Sequence, residues 1–280
     1  MDFFTYWEEA RPQIDKHLEN KVFMFKYCEE EMRKALAGGK RVRGTLTLLV
    51  CEALGGKRED ALDRASAIEF VQAASLIHDD FIDGDEVRRG RPALWVELDP
   101  RRAILLADVL FSSAQLQMEE KSREDGRILA EAIKNTAYGA AVEALDEYQR
   151  VIPLKTGALF AAASRFGAVA AKQSKEIEEK AFNYGLFLGE AFQIADDVMD
   201  AKKVQSGDVN LWNALRLLPT LLKASLFHDT LGEEQEKFKQ DIDVKIQKAV
   251  AELDGFPDNE FTKMLNGVPR QMVDLLFEKG

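Results

Sequence analysis

The chain has 280 residues, of which 46% are hydrophobic, enough to bury a substantial core. Seven prolines and no Ser/Gly-rich linker point to one domain spanning residues 1–280. A net charge of -11 excludes nucleic acid as an expected partner, because polyanion binding needs a clustered basic surface.

Taken from the start, "MDFFTYWEEARPQ" has neither a basic n-region nor a clean apolar h-region. No uncharged run is long enough to span a bilayer, so no transmembrane segment is expected. The two cysteines, Cys28 and Cys51, lie in apolar stretches without metal-ligand spacing and read as buried free thiols. That usage suits a cytoplasmic protein. A break follows at "LAGGKRVRG" (36–44), a glycine-led turn carrying Lys40, Arg41 and Arg43. The segment 61–83 then places Ala65, Ile68, Val71, Gln72, Ser75, Leu76 and Asp79 at helical spacing.

"GRPALWVELDP" (90–100) breaks the pattern, and helical signals resume over 101–121, 128–149 and 175–200. Another break is expected at 201–210, followed by three helices from about residue 209, split by "HDTLGEEQ" and "LDGFPDNE". No segment shows sustained period-two alternation with β-branched enrichment. The expectation is an all-α protein, a bundle of roughly ten helices, with short connections between antiparallel neighbours.

One internal echo carries chemistry. "SLIHDDFID" (75–83) and "FQIADDVMD" (192–200) both end an apolar run with Asp-Asp-x-x-Asp. Residues four apart share a helix face, so Asp79 and Asp83 project together, as do Asp196 and Asp200. Asp80 and Asp197 are rotated by about 100° from those faces. Either cluster alone reads equally well as a solvated acidic helix end. Two copies ending apolar segments are costly without a cation, and a hard oxygen-seeking ion such as Mg²⁺, with Mn²⁺ as the alternative, removes the repulsion. Mg²⁺ is commonly shared between carboxylates and substrate phosphates. The arginines after the first cluster, Arg88 and Arg89, and the 38–44 turn supply guanidinium forks for a second phosphate group.

Asp-Asp-x-x-Asp, four residues, Arg-Arg-Gly and a distal Asp-Asp-x-x-Asp resemble the trans-isoprenyl diphosphate synthases, or polyprenyl synthetases. "GGKRVRG", "KTGALF" (155–160) and "FQIADDVMD" stand in that family's order, and the similarity covers most of residues 36–200. The resemblance implies helices around a central active-site cavity and a homodimer. It implies Mg²⁺-dependent head-to-tail condensation of an allylic diphosphate with isopentenyl diphosphate. Carried over by position, Asp79, Asp80, Asp83 and Asp196 would bind the metals, with Asp197 and Asp200 supporting. Arg88 and Lys155 would hold the allylic diphosphate, and Lys40, Arg43, Gln72 and Arg89 the isopentenyl diphosphate. Thr156 and Gln193 would line the reacting centre, and His78 is expected to pack rather than act as a base.

The small Ala74 and Ser75 beneath Asp79 imply an open path for a product of C20 or longer, with a floor near Val71 and Ile68 and Phe111 as a plug. Three features depart from the family. Gly44 replaces a proline, no Gly-Gln precedes Lys-Thr, and the loop after Asp200 carries only Lys202 and Lys203. These departures keep two alternatives open, a weakly catalytic subunit of a heteromeric synthase and a terpene cyclase. Retention of both acid clusters and of the basic turn ranks a synthase first.

Overall fold

The computed structural model describes residues 2–22, 26, 28–142, 148–205 and 231–278. Within them the chain folds as α1 (Phe3–Val22), α2 (Glu29–Leu36), α3 (Val42–Ala53), α4 (Arg58–Asp83), a hairpin of β1 (Val87–Arg88) and β2 (Arg91–Pro92), and α5 (Leu94–Glu97). There follow α6 (Pro100–Lys121), α7 (Arg123–Val142), α8 (Tyr148–Ile152), a π-helical turn (Pro153–Gly157), α9 (Ala158–Ala170) and α10 (Lys175–Gln205). Two more helices, α11 (Leu231–Ala251) and α12 (Glu260–Glu278), complete the described chain.

The sequence dictates which helices sit at the centre. A helix that is apolar on every side is buried on every side. α3 is buried continuously from Gly44 to Cys51, and α9 nearly throughout. These two helices pack on each other, α4 packs on both, and α10 packs on α9. One large apolar cluster therefore runs from Phe3 in α1 to Met272 in α12. Cys51 is buried and Cys28 half-buried, so only one of the two free thiols matches its expected burial.

Element ends follow local chemistry. Gly84, at φ 65°, stops α4 in the left-handed conformation that glycine tolerates. Asp99 caps α6 by accepting from the backbone N–H of Arg101 (2.9 Å) and Arg102 (3.1 Å), with Pro100 in the first turn. The hairpin was not foreseen. Its ladder is two residues long, too short for alternation to register. Arg89 (φ 54°) and Gly90 (φ 74°) form its tip with two successive positive φ values, the conformation of a two-residue hairpin turn. The break expected at 201 is also corrected: α10 continues five residues beyond Asp200, to Gln205. The loop expected beyond that point and the helix expected from residue 209 lie outside the described residues. No described helix is long and apolar enough to cross a membrane.

An ion network ties α1, α4 and α6. Asp63 accepts from His17 (2.9 Å) and pairs with Lys21 (3.0 Å) and Lys121. The hydrogen bond with His17, followed by those with the two lysines, holds the Asp63 carboxyl well below the usual carboxylate range. A depressed folded-state pKa stabilises above the unfolded value of about 3.9 and is lost as pH falls below it. Asp63→Asn is therefore expected to lower stability by about 2 kcal/mol at pH 7, with the deficit shrinking below about pH 4. Urea unfolding of both proteins across that range measures it.

Candidate active site

Both aspartate motifs end long helices that rise through the bundle, α4 of 26 residues and α10 of 31. On α4, Asp79 is half-buried, Asp83 exposed and Asp80 buried. Asp80 turns toward the hairpin, where Arg88 donates to its Oδ1 through Nε (2.6 Å) and through Nη2. Burial pushes the Asp80 carboxyl up, with Arg88 opposing and Asp85 and Asp83 adding to the push. Arg89 lies against the loop before α3 and donates through Nη1 to the Ala37 carbonyl (2.8 Å). Burial, then the charges of Arg41 and Arg88, push its pKa down, so positive charge is concentrated here. Asp80, Arg88 and Arg89 line one cavity of about 540 Å³, together with Ala73, Leu76 and Ile77 of α4.

The 38–44 turn is held from several sides. The Trp7 indole N–H donates to the Lys40 carbonyl (2.5 Å). Arg43 lies over the Phe160 ring, 4.2 Å from its centroid, and its buried Nε has no hydrogen-bond partner. Burial lowers the Arg43 pKa to about 10. An unpartnered guanidinium N–H held this deep suits an anionic oxygen. Gln72 sits on α4 two turns below Asp79, half-buried.

The second half is built on α10 and the π-helical turn. Such turns insert an extra residue and are frequent at functional sites. Here the turn carries Lys155, half-buried, and Thr156, buried. Thr156 Oγ1 donates to Gln193 Oε1 (2.6 Å), and Gln193 Nε2 donates to Asp197 Oδ1 (3.0 Å). The Tyr148 hydroxyl donates to the other oxygen of Asp197. Burial raises the Asp197 carboxyl to about 7. Burial and then the like charge of Asp200, four residues on, push the Asp196 carboxyl up. Asp200 accepts from Lys203 (2.7 Å).

The two halves meet electrostatically through Lys40, whose charge acts on Asp196 across from the α3 turn. Arg43 lies over Phe160, and Phe160 packs on Phe192 of α10, so the turn before α3 stands beside the α10 segment that leads into the second motif. Among the described residues, no three Asp, Glu, His or Cys side chains already form a cage for an ion. The donors are carboxylate pairs on successive turns, and Mg²⁺ commonly completes its shell with phosphate oxygens and water. Oxygen-only donors whose mutual charge is penalised by burial fit such a cation.

One expectation needs adjusting. Phe111 does not lie at the level of Ile68; its ring packs on His78, centroids 5.6 Å apart, beside Asp79. His78 does pack, and its buried Nε2 has no hydrogen-bond partner. Tyr148 was missed. It precedes Lys155 by seven residues but meets Asp197 across 49 positions, a pairing no local pattern carries.

The polyprenyl synthetase family model matches residues 25–208. The short chain isoprenyl diphosphate synthase of Methanothermobacter thermautotrophicus is 40% identical over 178 residues, covering 59% of this chain and 55% of that protein. The matched region thus spans little more than half of that relative. The hexaprenyl pyrophosphate synthase of Saccharolobus solfataricus is 33% identical over 215 residues, covering 74% of this chain and 76% of the relative. Among solved structures, the geranylgeranyl pyrophosphate synthetase from Pyrococcus horikoshii superposes with a TM-score of 0.79 at 25% identity, covering 97% of this chain and 99% of that one. With the family match spanning most of the chain and the paired acid motifs at its core, this chain belongs to the polyprenyl synthetase family.

Proposed function

We propose that this chain, folded as one domain over residues 1–280, condenses an allylic diphosphate with isopentenyl diphosphate, head-to-tail, to an all-trans polyprenyl diphosphate of C20 or longer. The observations that support this reading are the Arg88–Asp80 pair beside the first motif, Arg89 against the turn before α3, and Arg43 over Phe160, which packs on Phe192 of α10 ahead of the second motif. Asp79, Asp83, Asp196 and Asp200 would hold Mg²⁺, for which Mn²⁺ substitutes. Asp80 and Asp197 would steer the site through Arg88 and Gln193. When bound, the cation neutralises charge on the departing diphosphate.

The residues divide the remaining work. Arg88 and Lys155 hold the allylic diphosphate while its C1–O bond breaks, and the leaving group takes the electron pair. Preorganised cations aimed at developing negative charge need no reorganisation at that moment. Lys40, Arg43, Gln72 and Arg89 hold isopentenyl diphosphate so that its double bond faces C1. Thr156 and Gln193 fix the reacting centre, where the double-bond electrons form the new carbon–carbon bond to the allylic carbocation at C1 and the isopentenyl C2 proton leaves to the released diphosphate. Phe160 and Phe192, ring centroids 5.8 Å apart, keep water from quenching the cation.

Ala74 is fully buried and Ser75 half-buried, and neither is large enough to block a growing chain. Relatives include geranylgeranyl and geranylfarnesyl diphosphate synthases, which supports this product class. A cytoplasmic homodimer belongs to the same reading. Leu105 and Leu116, exposed three turns apart on α6, supply an apolar face for it.

Purified protein incubated with Mg²⁺, isopentenyl diphosphate and each allylic primer tests the reading. Elongated diphosphates of C20 or more are expected. A C15-only product overturns the length, a hydrocarbon indicates a cyclase, and turnover only with a second protein indicates a heteromeric subunit.

A further inference from the structure

Glu69 lies on α4 with 4% exposure, below the acidic motif, and has no role assigned above. A buried carboxylate is costly unless its charge is met. Its Oε1 accepts from the backbone N–H of Gly44 at 2.8 Å, one of the donors that the first turn of α3 leaves unpaired. Its Oε2 stands 3.7 Å from the Arg41 guanidinium, itself only 7% exposed. Arg41 precedes α3 in the left-handed conformation, at φ 55°, a state strained for a residue with a Cβ. Its guanidinium also binds Asp15 (2.7 Å) and the Leu36 carbonyl (2.5 Å), so the side chain faces inward and Lys40 and Arg43 take the other directions.

Glu69 also acts beyond its direct contacts. Its charge favours the protonated guanidinium of Arg43, and it does the same for Arg89. One buried carboxylate therefore touches the turn and acts on both arginines flanking it. Gly44 suits this arrangement. A Cβ there would meet Ile14 Cδ1 at 3.1 Å and Glu69 Cγ at 3.2 Å, pressing the carboxylate away from the N–H it caps.

We infer that Glu69 is a positioning residue for isopentenyl diphosphate: by capping α3 at Gly44 and anchoring Arg41, it holds Lys40 and Arg43 in the diphosphate-binding arrangement. The inference rests on the condensation proposed above. It is directed at one substrate, because the hydrogen bond and ion pair of Glu69 go to the turn before α3, whereas Arg88 pairs with Asp80 and Asp85.

Glu69→Gln keeps the shape and the acceptor for Gly44 but removes the charge. Its KM for isopentenyl diphosphate is expected to rise roughly tenfold. Its KM for the allylic diphosphate should stay within about twofold, whatever fall in Tm the loss of a buried charge brings. Calorimetric binding of isopentenyl diphosphate alone should weaken in parallel. Gly44→Ala retains the charge and favours helix, so it folds, and should give the same selective rise by displacing the carboxylate. Equal rises in both KM values, or unchanged values in both variants, overturn the role of Glu69. Absence of turnover in the wild-type protein overturns the condensation itself, and this inference with it.

Discussion

Asp79→Ala is expected to lower kcat by at least about 10³-fold while the helical fold and Tm are retained. Asp196→Ala should do the same. The reason lies in what each carboxylate does before any cation arrives. Asp79 shares a helix face with Asp83, and Asp196 with Asp200, so each pair is repulsive by a few tenths of a kcal/mol or more. At Asp196 burial adds to the penalty, raising its carboxyl before the charge of Asp200 is counted. Truncation to alanine relieves that repulsion and favours the helix. A loss of turnover without a loss of stability then assigns these side chains to chemistry. Steady-state rates with saturating Mg²⁺, together with thermal melts, make the separation. Wild-type kcat in either variant removes the metal-binding role of that pair.

Gly139→Val should lower kcat about 10²-fold and stability by about 1–3 kcal/mol. A Cβ at Gly139 on α7 would stand 2.5 Å from the backbone nitrogen of Lys155 and 2.9 Å from the Leu154 carbonyl carbon. Those are backbone atoms, so the π-helical turn itself must move. Lys155 and Thr156 ride on that turn, and the 2.6 Å bond from Thr156 to Gln193 connects it to α10. The same displacement therefore reaches Asp197, which Gln193 orients. Gly267→Ala is the control, since its Cβ approaches only the flexible end of Gln271, at 3.2 Å. There kcat should be unaffected and stability unchanged or raised by up to about 1 kcal/mol. Unchanged kcat in Gly139→Val would show that the turn tolerates displacement.

These two predictions differ in how far the sequence alone could reach them. The aspartate pairs are local: four-residue spacing at the end of an apolar run places them on one helix face, and α4 and α10 do end with them nearby. Helix periodicity likewise located α6 within one residue of its start. The expected helix over 128–149 is α7 as far as Val142 and α8 from Tyr148, and residues 143–147 lie outside the described residues. Nothing in the local pattern of "PLKTG" separates a π-helical turn from an ordinary one; close approach to Gly139 accompanies it. Glu69, Tyr148 and the inward turn of Arg41 were hidden for a related reason. The partners Gly44, Asp197 and Asp15 lie 25 to 49 positions away and are brought close by packing among α1, α3, α4, α8 and α10. Arg88 was legible as a cation beside the acids, but its pairing with Asp80 depends on a hairpin too short for strand alternation to reveal.

The most direct measurement is Mn²⁺ titration by electron paramagnetic resonance, with and without inorganic diphosphate. More than one Mn²⁺ should bind per chain when diphosphate is present, and either Asp79→Ala or Asp196→Ala should remove the shared uptake. Diphosphate that recruits no Mn²⁺, or recruits it equally well after one aspartate pair is disabled, would contradict the joint grip of α4 and α10 on a single pyrophosphate.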